Sequence, residues 1–201
     1  MEMKTYNKKI IFIIAALVSV TAGISFYLFN ARSCNGVIAY DAQRDKPAVK
    51  QLFQQNLSWL VNGPSYQSYD VDFMLDNHAS AFDPINKRNL IFNVYCDHGR
   101  TVGFEAHFIK SFLKGYILFM VVDQAERGKG YGVQLLKAAI EQIAKAGCSI
   151  VELVTSIDNI PAQKLYEKVG FSEVRRDEHV VYYEYRIIYG NNNPKKIVKI
   201  S

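Results

Sequence analysis

Six consecutive residues, Arg127-Gly128-Lys129-Gly130-Tyr131-Gly132, carry the most definite chemistry in this 201-residue chain. They separate an apolar, strand-like run from a helical pattern that includes Leu135 and Leu136. Alternating glycines let successive backbone N–H groups turn toward one concavity, and the start of the next helix adds unpaired N–H groups and the positive end of its dipole. A pyrophosphate suits such a cradle. The spacing is Gly-x-Gly-x-Gly, lies late in the chain, and lacks a downstream acid placed for a ribose, which argues against a Rossmann dinucleotide site. The same glycines also suit a tight helix start with close packing and no ligand.

Two other places hold titratable groups in informative patterns. Glu105 and His107 lie two residues apart in the run Val102 to Phe108, so a strand would show both on one face, toward either a cleft or solvent. Tyr166 shares helical spacing with Ala162, Leu165 and Val169, which by itself suits core packing. Cys34, Cys96 and Cys148 are too few and too scattered for a disulfide scaffold, and no Cys/His cluster has metal-ligand spacing, so no metal is expected. Cys148, after Gly147 at a strand start, reads as core.

The elements that must position these groups follow from periodicity. Gly36 to Asp41 reads as a strand, and Asp45 with Pro47 predicts a helix N-terminus running to about Trp59. Gly63-Pro64-Ser65 marks a loop, and Tyr69 to Ala81 a second helix closed by Asp83-Pro84. Leu90 to Cys96 and Thr101 to Lys110 read as a hairpin around Asp97-His98-Gly99-Arg100, followed by a strand over Tyr116 to Val122. Val133, Leu136, Ile140 and Ile143 predict a helix ended by Gly147. A strand over Ile150 to Thr155, a short helix ended by Gly170 and a last strand over Val180 to Ile188 complete the order, with a short strand near Phe171. This mixture implies an α/β or α+β domain, a mixed sheet covered by helices.

The formal charge of +5 sits at the ends. Lys4, Lys8, Lys9 and Arg32 outweigh Glu2 before residue 36, and Lys195, Lys196 and Lys199 follow residue 190, so the middle is near neutral. That distribution gives no phosphate-tracking face and no nucleic-acid partner. Ile10 to Phe29 is a run of 20 residues without a charge, the length of a bilayer core at about 1.5 Å per residue. It is longer than a signal-peptide core and lacks a small-x-small end, which predicts an uncleaved single-pass anchor. Flanking lysines tilt the N-terminus slightly toward the cytoplasm, with Arg32, Arg44 and Lys46 beyond the other end; the side stays open. The expected organisation is a basic N-terminus (1–9), an anchor (10–29), a linker (30–35), one domain (36–190) and a basic tail (191–201).

VVDQAERGKGYGVQLL resembles the acyl-CoA-binding motif of the GNAT superfamily, with Arg127, Gly130 and Gly132 in the R/Q-x-x-G-x-G/A positions. Asn159 to Phe171 resembles the same superfamily's N-x-x-A-x-x-x-Y-x-x-x-G-F segment. The resemblance implies a GNAT-like fold, mostly antiparallel, with splayed central strands and helices on both faces. It implies acetyl-CoA as acyl donor, held by the backbone of Met120, Val121 and Val122, by Arg127, Gly128, Lys129, Gly130, Tyr131 and Gly132, and by Asn159, with Gln124 along the path. It implies Tyr166 as general acid to the departing sulfur, transferring acetyl directly to an amine on a small molecule or protein. A phenol of pKa about 10 can donate that proton. Glu105, with His107 beside it, is the first candidate for the base that an aliphatic amine needs. Tyr66, Tyr69, Asp70, Asp72, Asp76 and Arg175 to His179 are candidates for acceptor selection. A membrane-tethered, non-catalytic acyl-CoA-binding module is the alternative, and transfer of a longer acyl chain to a lipid or envelope amine a third.

Overall fold

The computed structural model describes residues 34–61, 69–79, 89–190 and 193–198. The predicted anchor, the loop signal at Gly63-Pro64-Ser65 and the stop at Asp83-Pro84 lie outside them. Among the described residues no helix is long and apolar enough to cross a membrane.

Strand β1 (Gly36–Ala39) leads into helices α1 (Ala42–Gln55), α2 (Leu57–Leu60) and α3 (Val71–Asn77). Helix α1 starts earlier than predicted because Asp41, not Asp45, is the cap: its carboxylate accepts the Arg44 N–H at 3.0 Å. Asp45 is fully buried one turn in, accepting from Asp41 N–H and the Thr101 hydroxyl, each at 2.8 Å, and from the Arg44 guanidinium. The helical run also breaks before Trp59, at Asn56, whose side-chain amide donates to the Leu52 carbonyl. In α3 the Asp70 carboxylate accepts the Phe73 N–H at the cap.

Strands β2 (Ile91–Asp97) and β3 (Arg100–Ser111) form the expected hairpin. Its two turn residues, His98 and Gly99, have φ of 48° and 80°, the pair of positive values that a tight two-residue hairpin uses to match strand twist. Strand β4 (Lys114–Val122), a single 3₁₀ turn (Gln124–Glu126), helix α4 (Tyr131–Lys145), strand β5 (Ile150–Ser156) and helix α5 (Ile160–Val169) follow. Strands β6 (Ser172–Arg176) and β7 (Val180–Arg186) close the sheet. The order is β1-β2-β3-β4-β5-β7-β6, antiparallel throughout except for the parallel β4–β5 pair.

Alternation along β2 shows how the two faces are covered. Phe92 and Val94 join Val49, Phe53 and Met74 of α1 and α3 in one core cluster, whereas Asn93 between them reaches Gln142 of α4. A second cluster sets Leu136, Ile140 and Ile143 of α4 against Val151, Leu153 and Tyr183. Cys148 is buried in it, as expected of a core cysteine.

Two features depart from expectation. Where a basic tail was predicted, β8 (Ile188–Gly190) pairs with β9 (Asn193–Val198) in a separate ribbon. Cys34 and Cys96 are disulfide-bonded with Cα atoms 5.8 Å apart, because pairing of Gly36 with Cys96 draws the two together across 62 residues of sequence. Closing a loop of that length removes about 4 kcal/mol of unfolded-chain entropy.

Candidate active site

Strands β4 and β5 pair only over Lys114–Tyr116 and Ile150–Glu152 and then part. Beyond that point β4 stays bonded to β3 as far as Val122 with Gly103, and β5 to β7 as far as Ser156 with Val180. Each strand is thus held from behind while its facing edge is left without a strand partner. The gap opens a cavity of about 510 Å³ between β4, β5, the glycine loop and α5.

The three glycines of the loop are required for two different reasons. Gly128 and Gly130 have φ of 84° and 86°, and a Cβ on either would touch nothing within 4 Å, so conformation rather than space requires glycine. Gly130 is the N-cap of α4 and brings no side-chain acceptor to the first N–H groups of the helix, which leaves them suited to an anion. Gly132 differs, since a Cβ there would lie 3.0 Å from the Leu165 side chain, so this glycine sets how closely α4 approaches α5.

The side chains around the loop are fixed by packing. Arg127 donates to the Val122 carbonyl at 3.2 Å and to the Asn56 amide oxygen at 3.0 Å, tying the end of β4 to the α1–α2 junction. Tyr131 stacks on Tyr95 with centroids 4.1 Å apart, and its hydroxyl donates to Asp97 at 3.0 Å. Asn159 caps α5 by accepting the Ala162 N–H at 3.3 Å. All three line the cavity with Met120, Val121, Val122, Gly128, Gly130 and Gly132. Lys129 does not; its ammonium lies 2.5 Å from Glu126, which Arg100 also engages. Gln124 sits in the 3₁₀ turn, outside the lining.

Tyr166 also faces the cavity while being only 8% exposed. Burial, then the neighbouring phenols Tyr116 and Tyr183, push its pKa well above the ordinary tyrosine range, with a hydrogen bond to Thr155 acting in the opposite sense. Tyr116 is a second phenol in the lining, placed where β4 and β5 part, and burial followed by Glu152 and Tyr182 pushes it up to about 12. Tyr116 is not marked in the sequence, where it reads as one residue of an apolar strand. Both hydroxyls keep their protons through the neutral range and can donate.

Glu105 lies elsewhere. It and His107 share one face as the spacing required, but that face meets neither cleft nor solvent, and both side chains are 0% exposed. Glu105 accepts from the Asn93 amide, and His107 Nδ1 lies 3.1 Å from both carboxylate oxygens. Asn93 in turn exchanges hydrogen bonds with Gln142 of α4. Burial raises the Glu105 pKa, opposed by His107 and Asn93. This is a packed polar bridge between sheet and helix, and neither residue lines the cavity. Among the described lining residues Glu126 is the one carboxylate, held low chiefly by Lys129 and Arg100.

The candidates for acceptor selection divide similarly. Tyr66 lies outside the described residues. Asp72 and Asp76 pair with Lys46 and Lys50, Asp70 caps α3, and Tyr69 stacks on Phe53. Arg175 lies over the Tyr182 ring, and Asp177 accepts from the backbone of the β6–β7 turn. None of these reaches the cavity wall. Asn56, Trp59, Leu60 and Leu118, none of them anticipated, do. Among the described residues no cluster of His, Cys, Asp or Glu has the makings of a metal site.

Comparison with known proteins agrees with this geometry. The profile of the acetyltransferase (GNAT) family matches residues 49–171, from within α1 to the end of α5. The chain is 43% identical over 67 residues to N-alpha-acetyltransferase 30 of Xenopus laevis, covering 33% of this chain and 24% of that protein. It is 36% identical over 92 residues to N-alpha-acetyltransferase 30 of Dictyostelium discoideum, covering 43% of this chain and 48% of the relative. The matches thus span less than half the length of either relative. Among solved structures, yncA of Salmonella typhimurium superposes with a TM-score of 0.61 at 15% identity, over 77% of this chain and 94% of that one. The ribosomal-protein-S18-alanine N-acetyltransferase of Escherichia coli gives 0.59 at 19% identity, over 79% and 98%. These structures share the fold. With the profile covering more than half of its residues, the chain belongs to the acetyltransferase (GNAT) family.

Proposed function

We propose that this chain is an acetyl-CoA-dependent N-acetyltransferase. The observation that carries the proposal is the parting of β4 from β5 directly beside an uncapped, glycine-rich helix start, with Tyr166 buried against the gap. The N–H groups from Arg127 to Gly132 would hold the pyrophosphate, and the free edge at Met120 to Val122 the pantetheine arm. Acetyl-CoA supplies an activated thioester. A backbone N–H of Val121 or Val122 would stabilise charge on the thioester oxygen, and Tyr166 would protonate the departing sulfur.

Glu105 is not the base in this reading. The lining carboxylate, Glu126, is occupied by two cations, so the acceptor's proton leaves through cavity water, or the amine arrives already neutral. Transfer rates are then expected to rise with pH toward the amine's own pKa. The names of the curated relatives support the α-amino group of a polypeptide as acceptor. The uncharged run Ile10 to Phe29 supports a membrane tether on the N-terminal side of the domain.

The test is to incubate the full chain, purified in mild detergent, with acetyl-CoA and a library of peptides with free or blocked N-termini, following release of the CoA thiol. Release with free N-termini and none with blocked ones is expected. Donor binding with no release across the library would contradict the enzymatic reading and leave a non-catalytic acyl-CoA-binding module.

A further inference from the structure

The Cys34–Cys96 bond lies outside the cavity lining, and its connection to the acyl-donor site runs through named contacts. Cys96 is flanked on β2 by Tyr95 and Asp97, which together hold Tyr131, one from the ring face and one at the hydroxyl. Cys34 stands two residues before β1, and its carbonyl accepts the Gly99 N–H at 3.2 Å. Val37 of β1 packs into a small cluster with Tyr95, Val102 and Leu135, which Tyr131 and Val122 complete. Tyr131 and Val122 both line the cavity. Strand β1 is a four-residue edge strand bonded to β2 alone, and such short edges fray unless their ends are tied. The disulfide is the covalent tie at this end.

We infer that Cys34–Cys96 is a thiol–disulfide site coupled to donor binding: oxidised, it clamps β1 and β2 around Tyr131 and favours the acyl-CoA-competent loop; reduced, it loosens that support. Here acyl-CoA binding rests on the function proposed above. Formation needs a two-electron acceptor of the small-molecule disulfide class. One cysteine thiolate attacks the external disulfide and expels a thiolate. The second cysteine thiolate then attacks the protein-bound sulfur and expels the other, so two protein thiols are oxidised as one external disulfide becomes two thiols. Coupling is reciprocal: if oxidation tightens donor binding by a factor, bound donor makes the disulfide harder to reduce by the same factor. A bond that only stabilised the fold would shift the melting temperature and leave the donor affinity of the folded protein unchanged.

The test uses the full chain in mild detergent, with acetyl-CoA as probe and a phosphine as reductant, so that no added thiol attacks the thioester. Thiol counts after denaturation define each state, with Cys148 alone reacting in the oxidised protein and all three cysteines in the reduced one. Calorimetric titration is expected to show acetyl-CoA binding roughly fivefold or more weaker after reduction. Cys34→Ser should match the reduced protein and ignore reductant. Equal affinity in both redox states overturns the coupling while leaving the donor site intact. Three reactive thiols under oxidising conditions overturn it because the bond does not form. Absence of acetyl-CoA binding in either state removes the donor-site reading and the coupling with it.

Discussion

Strand β3 and helix α5 each bury a titratable side chain almost completely, with opposite outcomes. Glu105 ends in a buried network in which Asn93 and His107 occupy its oxygens and Gln142 braces Asn93. Tyr166 is nearly as buried, but its wall is a cavity left where β4 and β5 stop pairing. Burial alone therefore does not mark a reactive group. What separates the two is the backbone around them: β3 is bonded on both edges, whereas β4 and β5 each turn one unpaired edge to the gap.

The sharpest way to break this contrast is Tyr166→Phe. Turnover is expected to fall by roughly 10²–10⁴-fold with acetyl-CoA affinity unchanged within a few fold, read by single-turnover thiol release beside calorimetry. Unchanged turnover would reduce Tyr166 to a packing residue like Glu105. The converse variant, Glu105→Ala, is expected to cost about 1–3 kcal/mol of stability because it leaves the buried His107 Nδ1 without its partner. Glu105→Gln, which keeps an acceptor for Asn93, should lose far less in urea titrations and retain turnover per folded molecule within a few fold. A selective loss of turnover in Glu105→Gln, with donor binding and stability intact, would return Glu105 to catalysis.

Smaller effects sharpen the boundary between cradle and packing within the glycine loop. Gly130→Ala forces a side chain into a left-handed conformation at about 1–2 kcal/mol without a clash, so acetyl-CoA affinity should fall more than stability does. Gly132→Ala should do the reverse, because its Cβ meets Leu165. The least effect is expected from pH. Burial favours the protonated forms of Tyr116 and Tyr166, whose folded pKa values lie above the ordinary one. Their contribution to stability is thus complete below roughly pH 10 and lost as pH rises through the raised values. Thermal melts should show no decline attributable to them near neutrality and a fall on the alkaline side.

What the sequence made legible was whatever depends on local backbone rules. The glycines at 128 and 130, the turn at His98-Gly99 and the Gly170 helix stop are properties of neighbouring residues, and the loop glycines with the motif at Asn159 and Tyr166 marked the candidate donor site. Asp45 misled because either Asp41 or Asp45 could cap α1, and the bonds from Asp41 N–H, Arg44 and Thr101 show that Asp45 is taken up elsewhere. Glu105 misled because period-two spacing gives a shared face without saying what covers it; α4, some 40 residues later, does. Tyr116 and the Cys34–Cys96 bond were hidden for the same reason, since each depends on strand register across long separations in sequence.

The central claim is that the gap between β4 and β5 is the acyl-donor site. A crystal structure of the chain with acetyl-CoA tests it most directly. The pyrophosphate is expected on the N–H groups of the Arg127 to Gly132 loop, the pantetheine arm along Met120 to Val122, and the sulfur within reach of the Tyr166 hydroxyl. Acetyl-CoA bound with its thioester elsewhere, or a β4–β5 gap that stays closed to it at saturating concentration, would contradict it.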